Sequence, residues 1–184
     1  MLVINFCCKE IGGNINFNNV NYSTYIENVE SPQQKKILID DFTGTACPNC
    51  PDAHAIISEL ITSYPEQVIA ISEYNYSGDP LYIDQNLVTE DALDIDNYLG
   101  PTSSWPAVCL DRKDFNNDGS IIEYHENLPI LILDQVGTTP PVNMYINTFY
   151  NSSSREVKVD ITIKYTETIT SNNHISIALT ESGI

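Results

Sequence analysis

The sequence is poor in basic residues and in long apolar runs, and both shortages exclude classes of function. Eight Lys and Arg stand against 25 Asp and Glu, which gives a formal net charge of −17. Such a charge repels nucleic acid and anionic membrane surfaces, so we expect neither as a partner. No apolar run approaches the ~18 residues of a membrane-spanning helix. With 42% hydrophobic residues among 184, the chain can bury a core without depending on disulfides.

Cysteine is also scarce, with five residues, an odd number that cannot pair completely within one chain. Cys7 and Cys8 are adjacent in MLVINFCCKE, where the apolar run is too short for a secretory signal and nothing basic precedes it. Two interpretations of this start remain open. One is a loose N-terminal tail, and the other is the inside of a longer lipoprotein signal with Cys7 or Cys8 as the lipidated residue. The residues INF before Cys7 make a poor lipid-attachment motif, which favours the tail.

Strand and helix patterns alternate after an Asn- and Gly-rich leader over 1–35, which carries one short strand pattern near 15–25. KILIDDFTG predicts a buried strand at about 36–42, and EQVIAISEYNY predicts a second at about 67–75. Between them, PDAHAIISELITSY predicts a helix over about 48–64. This order is typical of a parallel, right-handed βαβ unit.

The next part of the chain predicts a helix, a hairpin and a last helix. In TEDALDIDNYLG, Thr89 is suited to cap a helix and Gly100 to end it. WPAVCLDRKDF and SIIEY flank NNDG, which is a hairpin signal. ENLPILILDQVG predicts a helix with Pro129 in its first turn. We therefore expect one α/β domain over 36–137.

The pattern changes after the linker GTTPPV. Residues 142–184 contain three alternating runs, VNMYINTFY, REVKVDITIKYT and HISIALTE, which predict three half-buried antiparallel strands. Three strands are too few for an immunoglobulin-type sandwich of ~100 residues. Either the chain is truncated at 184, or the strands borrow a partner surface.

Cys47 and Cys50 lie in DFTGTACPNCPDAH, where the first predicted strand leads into the first predicted helix. Unpaired N–H groups and the dipole of a helix N-terminus stabilise a thiolate, so Cys47 is the expected attacking thiol. Cys50, one turn along, is expected to be more buried and to resolve a mixed disulfide. The βαβ context favours a redox dithiol. An inert structural bridge stays open, as does a zinc site in which His54 is a third ligand without a clear fourth.

The segment ILIDDFTGTACPNC resembles the active-site segment of the thioredoxin superfamily, in the order apolar strand, acid, aromatic residue, loop, Cys-x-x-Cys and helix. The resemblance covers about 36–136 and implies a thioredoxin-like fold. Asp41, six residues before Cys47, takes the place of a buried acid that helps to move protons to and from the resolving thiol. Pro106, in SSWPAVCLDRKDFNNDGSII, takes the place of the cis-proline that faces the cysteines and shapes the substrate groove.

The sequence departs from that superfamily at several positions. Ala46 stands where a tryptophan is usual, and Pro48 and Asn49 replace the usual Gly-Pro between the cysteines. Neither intervening residue is cationic, so the direction of electron flow is undetermined, with a lean toward reductase or isomerase work. Trp105 before Pro106 is also unusual. We expect Trp105 to form an aromatic substrate-binding wall beside the cysteines; the alternative is a core filler that points away from them.

A narrower resemblance adds the helix ending DNYLG, the hairpin and the C-terminal module ending ALTESGI. Together these are similar to a family of outer-membrane lipoproteins that join a thioredoxin-like domain to an immunoglobulin-like one. The resemblance implies an exported protein, periplasmic or outer-membrane-associated, with Cys7 or Cys8 as a lipid anchor. Residues 142–184 would then be a partial β-sandwich module.

Two functions are compatible with these patterns. One is an exported thiol–disulfide oxidoreductase that acts on protein or peptide disulfides together with a redox partner protein, and that needs neither cofactor nor metal. The other is a non-catalytic surface lipoprotein, an interaction scaffold in which Cys47–Cys50 is a structural bridge. Three further motifs have simpler interpretations. Cys109 is expected to lie in the core. DFNNDG is expected to form a hairpin turn, because His125 stands where a calcium loop needs an acid. His54 is expected to be a helix residue near the site that is not a catalyst.

Overall fold

A four-stranded mixed sheet with helices on both faces forms the larger part of the structure. The computed structural model describes residues 29–75, 87–170 and 173–182. The chain is a mixed α/β protein, and the strands of this sheet lie in the order β2–β1–β3–β4. They are β1 (Ile37–Thr43), β2 (Val68–Tyr74), β3 (Ala107–Leu110) and β4 (Ile122–Glu123). None of the helices in the described ranges combines the length and the apolar character needed to cross a bilayer.

Strand β1 lies at the centre of the sheet. It pairs in parallel with β2 and antiparallel with β3. Helix α1 (Cys50–Ser63) connects β1 to β2, which confirms the predicted strand–helix–strand order with a parallel pair. Six of the seven β1 residues are buried, because helices cover both faces of this strand.

Alternate residues of β1 belong to two separate apolar cores. Ile37 and Ile39 pack on one face against α1 and α3 (Leu128–Gln135). The helix residues of this first core are Ile57, Leu60, Leu128 and Ile132. Phe42 packs on the other face with Cys109 and with Leu99, which ends α2 (Glu90–Leu99). Cys109 is fully buried, which confirms its predicted place in the core.

The helix ends follow the signals in the sequence. The side-chain oxygen of Thr89 accepts the N–H of Ala92 at 3.1 Å, and Gly100, with φ of +114°, ends α2. Pro129 lies in the first turn of α3, where its missing N–H costs nothing. A short 3-10 turn over His125–Asn127 precedes that helix.

The β3–β4 connection is a hairpin turn, as predicted. Both carboxylate oxygens of Asp114 accept backbone N–H groups of the turn, from Asp118 at 3.3 Å and from Gly119 at 2.9 Å. Asn116 donates to Glu123 Oε1 at 2.8 Å. In the part of the chain that the structure describes, no group of three or more His, Cys, Asp or Glu is placed to hold a metal ion.

The C-terminal residues form a separate two-stranded antiparallel ribbon of β5 (Val142–Asn151) and β6 (Glu156–Tyr165). The prediction of a third strand over HISIALTE is wrong, because residues 173–182 have no strand and leave Ile175, Ile177 and Leu179 exposed. Alternation in a sequence decides which side chains share a face. A strand also needs a neighbouring backbone to complete its ladder, and alternation does not provide one.

The ribbon has one apolar face, and this face is exposed. Its register places Met144 opposite Ile163 and Ile146 opposite Ile161. We call this surface the ribbon face; it comprises Val142, Met144, Ile146, Thr148, Tyr150, Val157, Val159, Ile161, Ile163 and Tyr165. Met144 and Ile146 are 56% and 62% exposed. The predicted half-burial of these strands is therefore wrong, since burial of one face needs a second layer that the described residues do not supply.

The segment that precedes β1 contacts both parts of the molecule. Asn143 of β5 is 1% exposed, accepts the N–H of Gln33 at 2.8 Å and donates to Ser31 O at 3.0 Å. Lys35 contacts the α/β part instead: its Nζ atom donates to Gln135 Oε1 at 2.6 Å and lies 2.7 Å from Asp111 Oδ2. Within the predicted leader, residues 1–28 lie outside the described residues, and with them Cys7, Cys8 and the short strand near 15–25.

Replacing Thr89 by alanine is expected to lower the free energy of unfolding by about 1 kcal/mol, because the N–H of Ala92 loses its acceptor. Urea denaturation followed by circular dichroism measures the change. Thr89→Ser keeps the hydroxyl and serves as the control, with little expected loss. Equal losses in both variants would show that the cap hydrogen bond does not contribute.

Candidate functional site

Cys47 and Cys50 form a disulfide at the junction between β1 and α1. Their sulfurs are 2.09 Å apart and their Cα atoms 5.5 Å apart. Cys50 is the first residue of α1, and Cys47 lies in the turn before it, where its N–H donates to Gly44 O at 3.1 Å. Cys50 is 1% exposed and Cys47 6% exposed, so the order of burial is the predicted one. The pair therefore stands at the positive end of a helix, a position that favours a thiolate after reduction.

Asp41 is buried on the face of β1 that α1 covers. Its Oδ2 atom accepts the hydroxyl of Ser72 at 3.1 Å and lies 3.1 Å from Nε2 of His54. Its Oδ1 atom is buried and has no hydrogen-bond partner among the residues that the structure describes. Burial raises the pKa of Asp41, while the neighbouring His54 acts in the opposite direction. A carboxyl in this state is able to hold or release a proton inside the protein.

His54 contacts Asp41, which its interpretation as a plain helix residue missed. Nε2 of His54 lies 3.1 Å from both Asp41 Oδ2 and Thr43 Oγ1, and 45% of its side chain is exposed. The sequence did contain a signal for this placement. His54 follows Cys50 by four residues, and residues at that spacing share one face of a helix.

Asp40, the neighbour of Asp41 in β1, belongs to a second acidic cluster on the opposite face. Arg112 holds it with two hydrogen bonds, Nη2 to Oδ1 at 2.9 Å and Nε to Oδ2 at 3.1 Å. Glu73 lies beside it and shares a hydrogen bond with Asp40. Burial and the negative charge of Asp40 raise the pKa of Glu73 to about 8. Glu73 is therefore protonated at neutral pH and is the donor toward Asp40.

The free thiol of Cys109 lies in an environment that makes it unreactive. Cys109 is fully buried and pairs with Asp40 across β1 and β3. Burial, with the charge of Asp40, raises the pKa of Cys109 to about 12. Its thiol stays protonated at neutral pH and does not act as a nucleophile.

Trp105 and Pro106 lie just before β3. The peptide bond between them is cis, as predicted, and Pro106 is buried. Trp105 Nε1 donates to Asn75 Oδ1 at 2.9 Å, and Asn75 Nδ2 in turn donates to Thr102 Oγ1 at 3.2 Å. The indole ring also packs against the core that contains Phe42.

Asn75 was not expected in the site, because it follows β2 without any motif. Its backbone N–H donates to Thr43 O at 3.2 Å, so it joins Trp105 to the end of β1 from which the cysteine turn departs. Pro106 also lines an open polar depression together with Ser103, Ser104 and Tyr124, and neither Cys47 nor Cys50 is among its lining residues.

Comparison with known proteins finds solved structures of similar fold but no matching sequence family. Neither a family model nor a curated protein matches the sequence. HBP35 of Porphyromonas gingivalis is similar in structure with a TM-score of 0.49 at 18% identity, over 65% of this chain and 38% of that one. A structural-genomics protein of Agrobacterium tumefaciens gives 0.41 at 18% identity, over 71% of this chain and 58% of that one. The chain thus spans less than two thirds of either protein, and neither likeness assigns an activity.

Replacing Glu73 by glutamine is expected to stabilise the protein above pH ~5. The folded state keeps the Glu73 proton up to a pKa of about 8, whereas the unfolded chain releases it near the ordinary 4.5. Folding stability therefore falls as pH rises through this window, and Gln, which still donates to Asp40, removes that fall. We expect a gain of roughly 2–4 kcal/mol at pH 9.

Urea denaturation at several pH values between 5 and 9 measures this gain. Glu59→Gln, on the exposed side of α1, is the matched control and should leave the pH dependence unchanged. Parallel stability curves for the natural chain and Glu73→Gln would contradict the buried, protonated state of Glu73.

Proposed function

We propose that this chain is a thiol–disulfide oxidoreductase with a thioredoxin-like active site. The observation that carries the proposal is the Cys47–Cys50 disulfide at the first turn of α1, one helix turn from the contact between His54 and Asp41. A dithiol at a helix N-terminus, with a buried carboxyl in contact with the same helix, has the groups that thiol–disulfide exchange needs.

The order of elements supports a thioredoxin-like arrangement. A central strand leads into the cysteine turn and α1, a parallel strand follows, and a cis-proline precedes an antiparallel hairpin and a last helix. This is the layout that the resemblance of ILIDDFTGTACPNC to the superfamily implies. On this basis we propose Cys47, Cys50, Asp41 and Pro106 as the residues of the site.

The proposed reaction has two steps. The thiolate of Cys47 attacks one sulfur of a substrate disulfide, a Cys47–substrate bond forms, and the other substrate sulfur leaves as a thiolate. Cys50 then gives its proton to the Asp41 carboxylate and attacks the sulfur of Cys47. The Cys47–Cys50 disulfide forms, the substrate leaves as a second thiolate, and the substrate has gained the two electrons that the dithiol has lost.

A scaffold function is the second candidate, and one observation favours it. Both cysteines are nearly inaccessible in the oxidised protein, as in a structural bridge. The exposed ribbon face also fits a protein whose role is to bind another. The reduction potential separates the two functions, since a structural bridge lies below ~−300 mV and catalytic pairs lie between ~−120 and −270 mV.

Cellular placement and partners are proposals that rest on the sequence. We propose an exported protein, periplasmic or outer-membrane-associated, with Cys7 or Cys8 as the lipid anchor. Its partners would be protein thiols and disulfides and a redox partner protein. The division into 36–137 and a partial immunoglobulin-like module over 142–184 also stays a prediction.

Cys50→Ser is expected to accumulate mixed disulfides with substrate proteins, because Cys47 can still attack but no thiol resolves the product. Cys47→Ser should form none and should abolish disulfide reduction. Non-reducing electrophoresis of each variant after incubation with a disulfide-containing protein such as insulin measures this. The Cys47→Ser/Cys50→Ser double variant controls for the other three cysteines, Cys7, Cys8 and Cys109. A potential below ~−300 mV together with no trapped species would favour the scaffold.

Reduction of the disulfide is expected to increase the fluorescence of Trp105, the single tryptophan of the chain. Disulfides quench nearby indoles, and Asn75 ties Trp105 to the end of β1 that leads into the cysteine turn. A redox titration followed by emission measures the increase, and the double serine variant should give no response. Unchanged emission in the natural chain would remove Trp105 from the substrate-binding site and leave it as a core residue.

A further inference from the structure

We propose that His54 is a positioning residue through which buried Asp41 exchanges its proton with solvent during the resolving step. This inference rests on the proposed oxidoreductase function and deepens it. It assigns to this chain a route by which the proton of Cys50 leaves the interior, a task that Asp41 cannot complete alone because it is 1% exposed.

The contacts of Asp41 divide between its two oxygens. Oδ1 is buried and has no hydrogen-bond partner among the described residues, so this oxygen is not committed to another contact. Oδ2 contacts Ser72 Oγ and His54 Nε2, each at 3.1 Å. A proton that arrives at the carboxyl therefore has two polar neighbours through which it can leave.

Of these neighbours, His54 is the one that can hold a proton. An imidazole takes up a proton near neutral pH, whereas a serine hydroxyl only passes one along. The ring of His54 spans the distance, since Nε2 touches Asp41 while 45% of the side chain is exposed to water. The hydroxyl of Thr43, 3.1 Å from the same Nε2, helps to fix the ring orientation.

The transfer is balanced in protons and moves no electrons. Cys50 loses its thiol proton to Asp41, Asp41 passes a proton to Nε2 of His54, and Nδ1 of the imidazolium releases a proton to water. The thiolate of Cys50 is then free to attack Cys47. When the dithiol is regenerated the same groups carry a proton inward.

Groups on the neighbouring elements also act on Asp41 or lie near it. His125, in the turn before α3, contributes to the field at Asp41, and the carboxylate of Glu126 lies 3.2 Å from its Nδ1. From β2, Ser72 is uncharged, and Glu73 shares its hydrogen bond with Asp40 on the opposite face. On α1 itself, Asp52 is exposed.

The test is a single-turnover reaction of the reduced protein, with Cys7 and Cys8 replaced by serine, with an aromatic disulfide whose released thiolates absorb visible light. Attack by Cys47 releases the first thiolate, and resolution by Cys50 releases the second. His54→Gln is expected to slow the second phase about tenfold near neutral pH and to flatten its pH dependence, with the first phase unchanged. In His54→Ala, added imidazole should restore the second phase, which a purely structural role would not do.

Controls and contrary outcomes are specific to each step. His174→Gln, at an exposed position, should change neither phase. A second phase slowed in Ser72→Ala but normal in His54→Gln would overturn the inference in favour of the serine. A natural protein without any first phase would defeat the oxidoreductase function instead.

An NMR titration tests the inference independently of any enzymatic activity. The imidazole titration of His54, followed by NMR, should shift in Asp41→Asn, and should shift between the oxidised protein and the reduced protein. An unchanged titration in both comparisons would show that His54 and Asp41 do not exchange a proton.

Discussion

The structure depends on two consecutive buried carboxyls in its central strand. Asp40 and Asp41 are 0% and 1% exposed, and the alternation of a strand sends them to opposite faces of the sheet. A buried charge is costly unless a partner compensates it, so each face must supply its own. Arg112, which follows β3, forms an ion pair with Asp40. His54, which lies on α1, contacts Asp41. The two pairs thus fix the hairpin and the first helix against the same strand.

The two partners, arginine and histidine, differ in how readily they release a proton. Arg112 keeps its proton throughout the accessible pH range, so its bidentate pair with Asp40 is a permanent structural contact. Protonated Glu73 adds to that contact on the same face. His54 carries an imidazole, a side chain that can change its charge in the physiological range, and it lies on α1, the helix that begins at Cys50. One strand therefore carries an acid paired with a guanidinium on one face and an acid paired with an imidazole on the other.

Local sequence patterns predicted most helices and strands, but they did not predict which residues distant in sequence contact one another. Thr89, Gly100 and Pro129 marked helix ends because capping and backbone freedom act within a few residues. The missing strand at 173–182 and the exposed ribbon face were mispredicted because pairing and burial need a second surface that alternation does not reveal. The links from Asn75 to Trp105 and from Glu73 to Asp40 join residues distant in sequence. No spacing in the sequence marks them.

The ribbon also gives the molecule an uneven distribution of charge. Arg155, Lys158 and Lys164 are set against Glu156 and Asp160 in the β5–β6 hairpin, whereas the chain as a whole carries −17. The hairpin is therefore a nearly neutral part of a strongly acidic chain. Another acidic macromolecule that diffuses toward it meets the least repulsion at the hairpin. The orientation of first encounter is thus biased toward the surface that bears the exposed apolar side chains, and salt, by screening the rest, weakens that bias.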